Sequence, residues 1–177
     1  MTVTVRQETK RDYSETEAVV EEAFKNEKYT DHTEHFLVAR LRKSTAFIPE
    51  LSLVAEKNNR IVGHVLLTKI SIENDSHNYE SLALAPVSVL PDYQNKGIGS
   101  KLIFDALLKA RDLGYRSVIV LGHDKYYPRF GFKPASVFGI ESPFEVPDEA
   151  FLALELKENS LENVSGKVVY SKPFQTN

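Results

Sequence analysis

The stretch that most constrains this chain runs from Leu84 to Gly114, where a strand pattern passes through a glycine-bearing turn directly into a helix pattern. Leu84-Ala85-Pro86-Val87-Ser88-Val89-Leu90 is apolar and rich in β-branched residues, the composition of a buried strand. Pro91-Asp92-Tyr93 ends it. Gln94-Asn95-Lys96-Gly97-Ile98-Gly99-Ser100 follows, and Ile98, Leu102, Ile103, Ala106, Leu107, Ala110 and Leu113 then recur at helical spacing until Gly114 supplies a stop.

A helix opening from a glycine-rich turn has a physical use. Its first turn presents backbone N–H groups that lack intrahelical partners, and the macrodipole adds partial positive charge, so the turn is a seat for a phosphate. Glycines at 97 and 99 let a bulky anion approach the main chain without meeting a Cβ. Two familiar phosphate loops are excluded by spacing. No third glycine or alanine follows at the dinucleotide-fingerprint position, and no Gly-x-x-x-x-Gly-Lys-Ser/Thr run exists.

Composition closes off other classes. The chain has 177 residues, which suits one ordinary domain over 1–177, and 42% hydrophobic with 27% charged residues is globular. A net charge of -3 without a basic tract argues against nucleic-acid binding. Cysteine is absent, so there is no disulfide framework, thiolate metal site or cysteine nucleophile. Met1 to Arg6 lacks the apolar core of a signal peptide and no run of eighteen apolar residues occurs, so the expectation is a soluble cytoplasmic protein without a membrane partner.

Along the chain, Thr2 to Gln7 reads as a strand, Ala18 to Phe24 and Phe36 to Leu41 as helices, with Thr33 the N-cap of the second. His32 and His35, in the polar segment from Tyr29, lack a convincing third ligand, and no metal is expected. Leu51 to Lys57 and Ile61 to Thr68 form a hairpin across Asn58-Asn59, the second strand running on through Ile70 and Ile72 to a polar turn at Glu73 to Asn78. Gly63 inside that strand marks either a bulge or close backbone approach, or a tolerated core glycine. Glu80 to Leu90 pairs antiparallel with it. Arg116 to Leu121 is a continuous apolar strand that follows a helix, hence parallel to the Val87 strand by a right-handed crossover. Gly122 to Lys125 leads into a short helix ending at Gly131, with Pro128 in its first turn. Phe132 to Phe138, Phe151 to Leu156 and Val168 to Tyr170 read as the remaining strands.

Gln-x-x-Gly-x-Gly after a Val-x-Val strand resembles the pyrophosphate-binding motif of the GCN5-related N-acetyltransferase (GNAT) superfamily. Tyr126-Tyr127-Pro128-Arg129-Phe130-Gly131-Phe132 resembles the second motif of the same superfamily. The wording of both is similar to the YhbS-like bacterial branch. The resemblance covers residues up to about 135, and implies an α/β (α+β) fold: a central mixed, mostly antiparallel sheet with a splayed parallel strand pair, flanked by about four helices.

It also implies an N-acetyltransferase using acetyl-CoA as donor, with an amine acceptor attacking the thioester directly and a homodimer as a possible assembly. Gln94, Asn95, Lys96, Gly97, Ile98, Gly99 and Ser100 would hold the diphosphate. Val87, Ser88 and Val89 would offer main-chain groups to the pantetheine arm, and an N–H near Val89 would polarise the carbonyl. Tyr127, a phenol protonated at neutral pH, would donate to the leaving thiolate, with Tyr126 its rival. The base is left open among His123, Glu80, His64 and His77. Members of the branch carry Gly-Asp-Pro before the tyrosine pair where this chain has Gly122-His123-Asp124-Lys125. The alternative is a catalytically silent acyl-CoA-binding or regulatory module.

Overall fold

The structure is a computed structural model and describes residues 2–28 and 30–175. Among them the chain forms β1 (Thr4–Gln7), α1 (Tyr13–Phe24), α2 (Glu34–Arg42), β2 (Ser52–Lys57), β3 (Arg60–Glu73), β4 (Asn78–Val89) and α3 (Ile98–Asp112). There follow β5 (Ser117–Leu121), β6 (Lys133–Pro134), β7 (Ile140–Glu141), β8 (Phe151–Glu155), β9 (Gly166–Val169) and α4 (Lys172–Gln175). The strands hydrogen-bond in the order β1-β2-β3-β4-β5-β8-β6, and β9 pairs with β3 and β7. Most pairs are antiparallel, whereas β4 with β5 and β7 with β9 are parallel. The fold is therefore the expected mixed α/β sheet.

Contacts divide the chain into two compact units, one holding the described residues up to Thr68 with Ala85–Lys109, the other Lys69–Leu84 with the described residues from Ala110 on. In the first unit β2 and β3 form a hairpin whose turn residues Asn58 and Asn59 have φ of 51° and 63°. Such a pair matches the right-handed strand twist, which explains two asparagines in succession. Beyond the turn Glu56 faces Ile61 but Ala55 faces Gly63, so Val62 is the extra residue of a bulge. α1 buries Val19 and Val20, and Val19 clusters with Val54 and Ile61.

Two local expectations change here. Thr33 occupies the start of α2, but its side chain makes no cap bond; its carbonyl accepts the N–H groups of Phe36 and Leu37, and Asp31 accepts its N–H. Thr2 and Val3 lie outside β1. Tyr29, in the polar segment noted above, lies outside the described residues.

In the second unit β5 lies between β4 and β8. Leu82 pairs with Val118 and Ala83 with Ile119 on one side, and the β8 ladder runs from Ser117–Glu155 to Leu121–Phe151 on the other. Burial of Ser117 to Val120 explains the unbroken apolar run. β8 buries both of its faces, since Phe151 to Leu154 are all buried. Residues 132–138 are not a strand: β6 covers Lys133–Pro134, and Ala135–Phe138 coil into a 3-10 turn that Gly139 ends at φ 76°. α3 stops where Gly114 takes φ 93°, the Gly114 N–H donating to Arg111 O and the Tyr115 N–H to Ala110 O. That pair of bonds is the Schellman closure, and it leaves Leu113 exposed rather than on the buried stripe.

Candidate functional site

The turn between β4 and α3 is built to keep its main chain open. After β4 a 3-10 turn spans Pro91–Tyr93, and Gln94 folds back so that its side-chain amide donates to Val89 O at 3.0 Å. Gln94 thereby ties the turn to the strand end. Asn95 and Gly97 take φ of 62° and 83°, and a Cβ placed on Gly97 would meet nothing within 4 Å. The first helical bond runs from the Lys101 N–H to Gly97 O, so the amides of α3's opening turn precede any intrahelical acceptor.

Lys57 and Lys96 lie 5.2 and 5.8 Å from the Tyr93 ring centre, Lys101 pairs with Asp105 at 3.2 Å, and Asp92 stands in the turn that precedes Gln94. Residues 94–97 are exposed, and Ile98 anchors the turn in the core. Upstream, Val87 and Val89 are half-buried, and Ser88 is buried with its Oγ unpartnered. Exposed residues, positive φ at Asn95 and Gly97 and nearby lysines are features that suit a diphosphate.

Tyr127 opens the 3-10 turn Tyr127–Phe130, which Gly131 ends at φ 100°. Pro128 sits in its first turn, as its missing N–H requires. The Tyr127 ring is buried against the edges of Tyr126 and Phe132, with centroids 5.1 and 5.7 Å away. Burial, helped by Tyr126, pushes its phenol up to about 12. Tyr126 is half-buried and carries the Arg129 guanidinium 4.4 Å from its ring centre.

One residue of this assembly escaped the sequence. Gly122, directly after β5, underlies the Tyr127 ring so closely that a Cβ there would sit 2.3 Å from Cε2. A glycine at a strand end is a visible signal, but its reason appears only with the ring in place.

The base candidates separate. His64 is fully buried, its Nε2 2.9 Å from Ser52 Oγ, and burial holds its imidazole down at about 4. It belongs to an internal polar cluster in which Ser52 donates to Glu8 at 2.7 Å, and Arg42 pairs with Glu8 and Glu17, both at 2.6 Å, and stacks on Tyr13 at 4.0 Å. Of the four candidates left open for the base, His64 is turned inward by β3 and is fully buried.

Glu80 is exposed, but the β4–β5 register sets it level with Arg116. Gly122 lies about 20 Å further along the strand at ~3.3 Å per residue. His77 is in the β3–β4 turn beyond Glu80, stacked on Tyr79. Only His123 among the four adjoins Gly122. Its side chain is 81% exposed, and it lines an open cleft of about 420 Å³ with Leu121, Asp124, Pro147 and Glu149.

Among the described residues no three His, Asp or Glu side chains cluster to hold a metal, and no helix is long and apolar enough to cross a membrane.

A family model described as Acetyltransferase (GNAT) domain matches residues 49–134. The uncharacterized N-acetyltransferase YjhQ of Escherichia coli K12 is 37% identical over 141 residues, which is 79% of this chain and 75% of YjhQ. The chain belongs to the GNAT N-acetyltransferase family. Both GNAT motifs lie inside the matched segment. YhbS of Escherichia coli K12 is 26% identical over 70% of this chain and 74% of its own. The crystal structure of Escherichia coli YhbS with CoA superposes at a TM-score of 0.87 with 23% identity, covering 98% of this chain and 92% of that one, a likeness of fold. A GNAT family acetyltransferase from Brucella melitensis, crystallised with acetyl-CoA, gives a TM-score of 0.79 and 32% identity over 98% of both chains.

Proposed function

We propose that this GNAT member transfers an acetyl group from acetyl-CoA to a primary amine of a small molecule or protein, by direct attack in a ternary complex. The observation that carries the reading is the open turn at 94–100, whose Gly97 has positive φ and free space where a side chain would stand. The Brucella melitensis relative crystallised with acetyl-CoA supports the same donor here.

Each group has one task. The amides of 94–100 hold the diphosphate, with Lys57 and Lys96 adding charge. Main-chain groups of Val87 to Val89 take the pantetheine arm, and the N–H near Val89 steadies the oxyanion. The neutral amine attacks the thioester carbonyl, the C–S bond breaks, and Tyr127 donates toward the sulfur as thiolate forms. The proton lost by nitrogen replaces the one that sulfur gains. With its phenol raised to about 12, Tyr127 stays protonated throughout the working pH range.

Purified protein incubated with acetyl-CoA and a panel of primary amines is expected to release free thiol. CoA binding without turnover on any amine, in protein whose Tyr127→Phe variant behaves identically, would instead establish the silent module.

A further inference from the structure

Gly63 is a feature the catalytic reading leaves unused. It lies in β3 beside the bulged Val62, and a Cβ built on it would stand 3.0 Å from Ser88 O, 3.0 Å from Leu102 Cδ1 and 3.4 Å from Ile98 Cγ2. Those three neighbours are informative. Ser88 is the middle of the strand segment assigned to the pantetheine arm, and Ile98 and Leu102 are the first two buried positions of α3, the helix whose opening turn is assigned to the diphosphate. The bare Cα therefore lies in the seam between the two halves of the donor site.

Neither side can yield freely. Ser88 O is main chain in a strand that Leu90 N–H pins to Val62 O at 2.9 Å, and Leu102 is fully buried. A methyl group at position 63 has to open the seam by a few tenths of an ångström. The three atoms nearest the added methyl belong to Ser88, Leu102 and Ile98 and none to residues 94–97, so the strain falls on the seam before it reaches the turn.

We infer that Gly63 is a positioning residue that sets the spacing between the diphosphate turn and the Val87–Val89 strand, and thereby the affinity for a ligand that bridges them. The inference rests on the donor site proposed above. Its distinctive consequence is that widening the seam weakens coenzyme A, which spans both halves, but spares ADP, whose diphosphate engages the turn alone. Damage to the turn would weaken both ligands equally.

The experiment is calorimetry of CoA and ADP with wild type, Gly63→Ala and Leu102→Phe, the last widening the same seam from the helix side, at a temperature where melting curves show each folded. The expected result is a rise in Kd for CoA of roughly tenfold, about 1.4 kcal/mol, with the Kd for ADP changed less than about twofold. Raised KM for acetyl-CoA with a smaller change in kcat should accompany it. Equal affinity of both folded variants for CoA, or parallel loss of CoA and ADP, overturns the inference. If only one variant folds, its CoA-to-ADP ratio decides alone. Failure of the wild type to bind CoA would instead refute the donor site itself, so the two failures are distinguishable.

Discussion

Gly122→Ala tests the proposed acid directly, because it moves Tyr127 without altering its chemistry. The added methyl would lie 2.3 Å from Cε2, 2.8 Å from Cδ2 and 3.3 Å from Cζ of the ring. To reach 3.4 Å, where ordinary contact begins, the ring edge has to retreat from 2.3 Å by about 1.1 Å. Tyr126 and Phe132 meet the ring edge-on and resist that retreat. Forcing a methyl into such a site costs about 1–3 kcal/mol of stability. Misplacing a catalytic group by ~1 Å lowers the rate by about 10²-fold, or about 2.7 kcal/mol in the barrier.

The assay is thiol release at saturating acetyl-CoA, alongside Tyr127→Phe, which keeps the packed ring, removes the donor and should cost roughly 10²–10⁴ in kcat. The double variant carries the argument. If Gly122 acts only by placing the hydroxyl, then adding Gly122→Ala to Tyr127→Phe lowers kcat no further, a non-additivity expected of groups that work as one. Wild-type kcat in folded Gly122→Ala, or full additivity in the double variant, would refute the reasoning.

Acid should destabilise the protein through His64. Burial holds its folded value at about 4, below the ordinary 6.5, so the folded state binds fewer protons between those values. Stability therefore falls as pH drops through that window, by about 3 kcal/mol, and urea midpoints of wild type minus His64→Gln should show the difference; a flat difference contradicts it. Glu8 reinforces the trend. Burial raises its carboxyl, but Arg42 and the hydrogen bonds, joined by His64 only once that ring is protonated, outweigh it and hold Glu8 below its ordinary value, so its contribution is present above that value and lost at lower pH. Arg42→Met strands the Glu8 carboxylate, which is fully enclosed, and should cost about 3–5 kcal/mol in thermal or urea unfolding; a loss below 1 kcal/mol would mean water reaches Glu8. At the β2–β3 turn Asn59, with φ 63°, should accept glycine almost without cost, whereas Asn59→Val should lose about 1–2 kcal/mol; equal melting curves would show that the turn relaxes.

What was legible in the sequence follows the range of the contacts involved. The β4–turn–α3 unit could be read from residues 84–114 alone, because strand composition, positive-φ glycines and a Schellman stop are local properties. Residues 132–138 misled because Val137 and Phe138 favour a strand, whereas burial of Ala135 and the left-handed Gly139 bend the segment into a turn. His64 stayed among the open candidates for the base because nothing nearby in sequence announces its environment. Its partner Ser52 lies on another strand, and Glu8 and Arg42 come from other elements still. Gly63 stood out as a glycine and Gly122 did not, but in both a glycine's purpose is what it makes room for: Leu102 and Ser88 for the first, an aromatic ring for the second. The same distinction governs the chemistry. In the proposed donor site the diphosphate is gripped by consecutive amides, so that part is written in the consecutive residues 94–100. The cleft beside His123 is lined by Leu121, Gly122, His123 and Asp124 with Pro147, Glu149 and Ala150, two segments joined where the Gly122 N–H donates to Ala150 O, so no single run of sequence announces it.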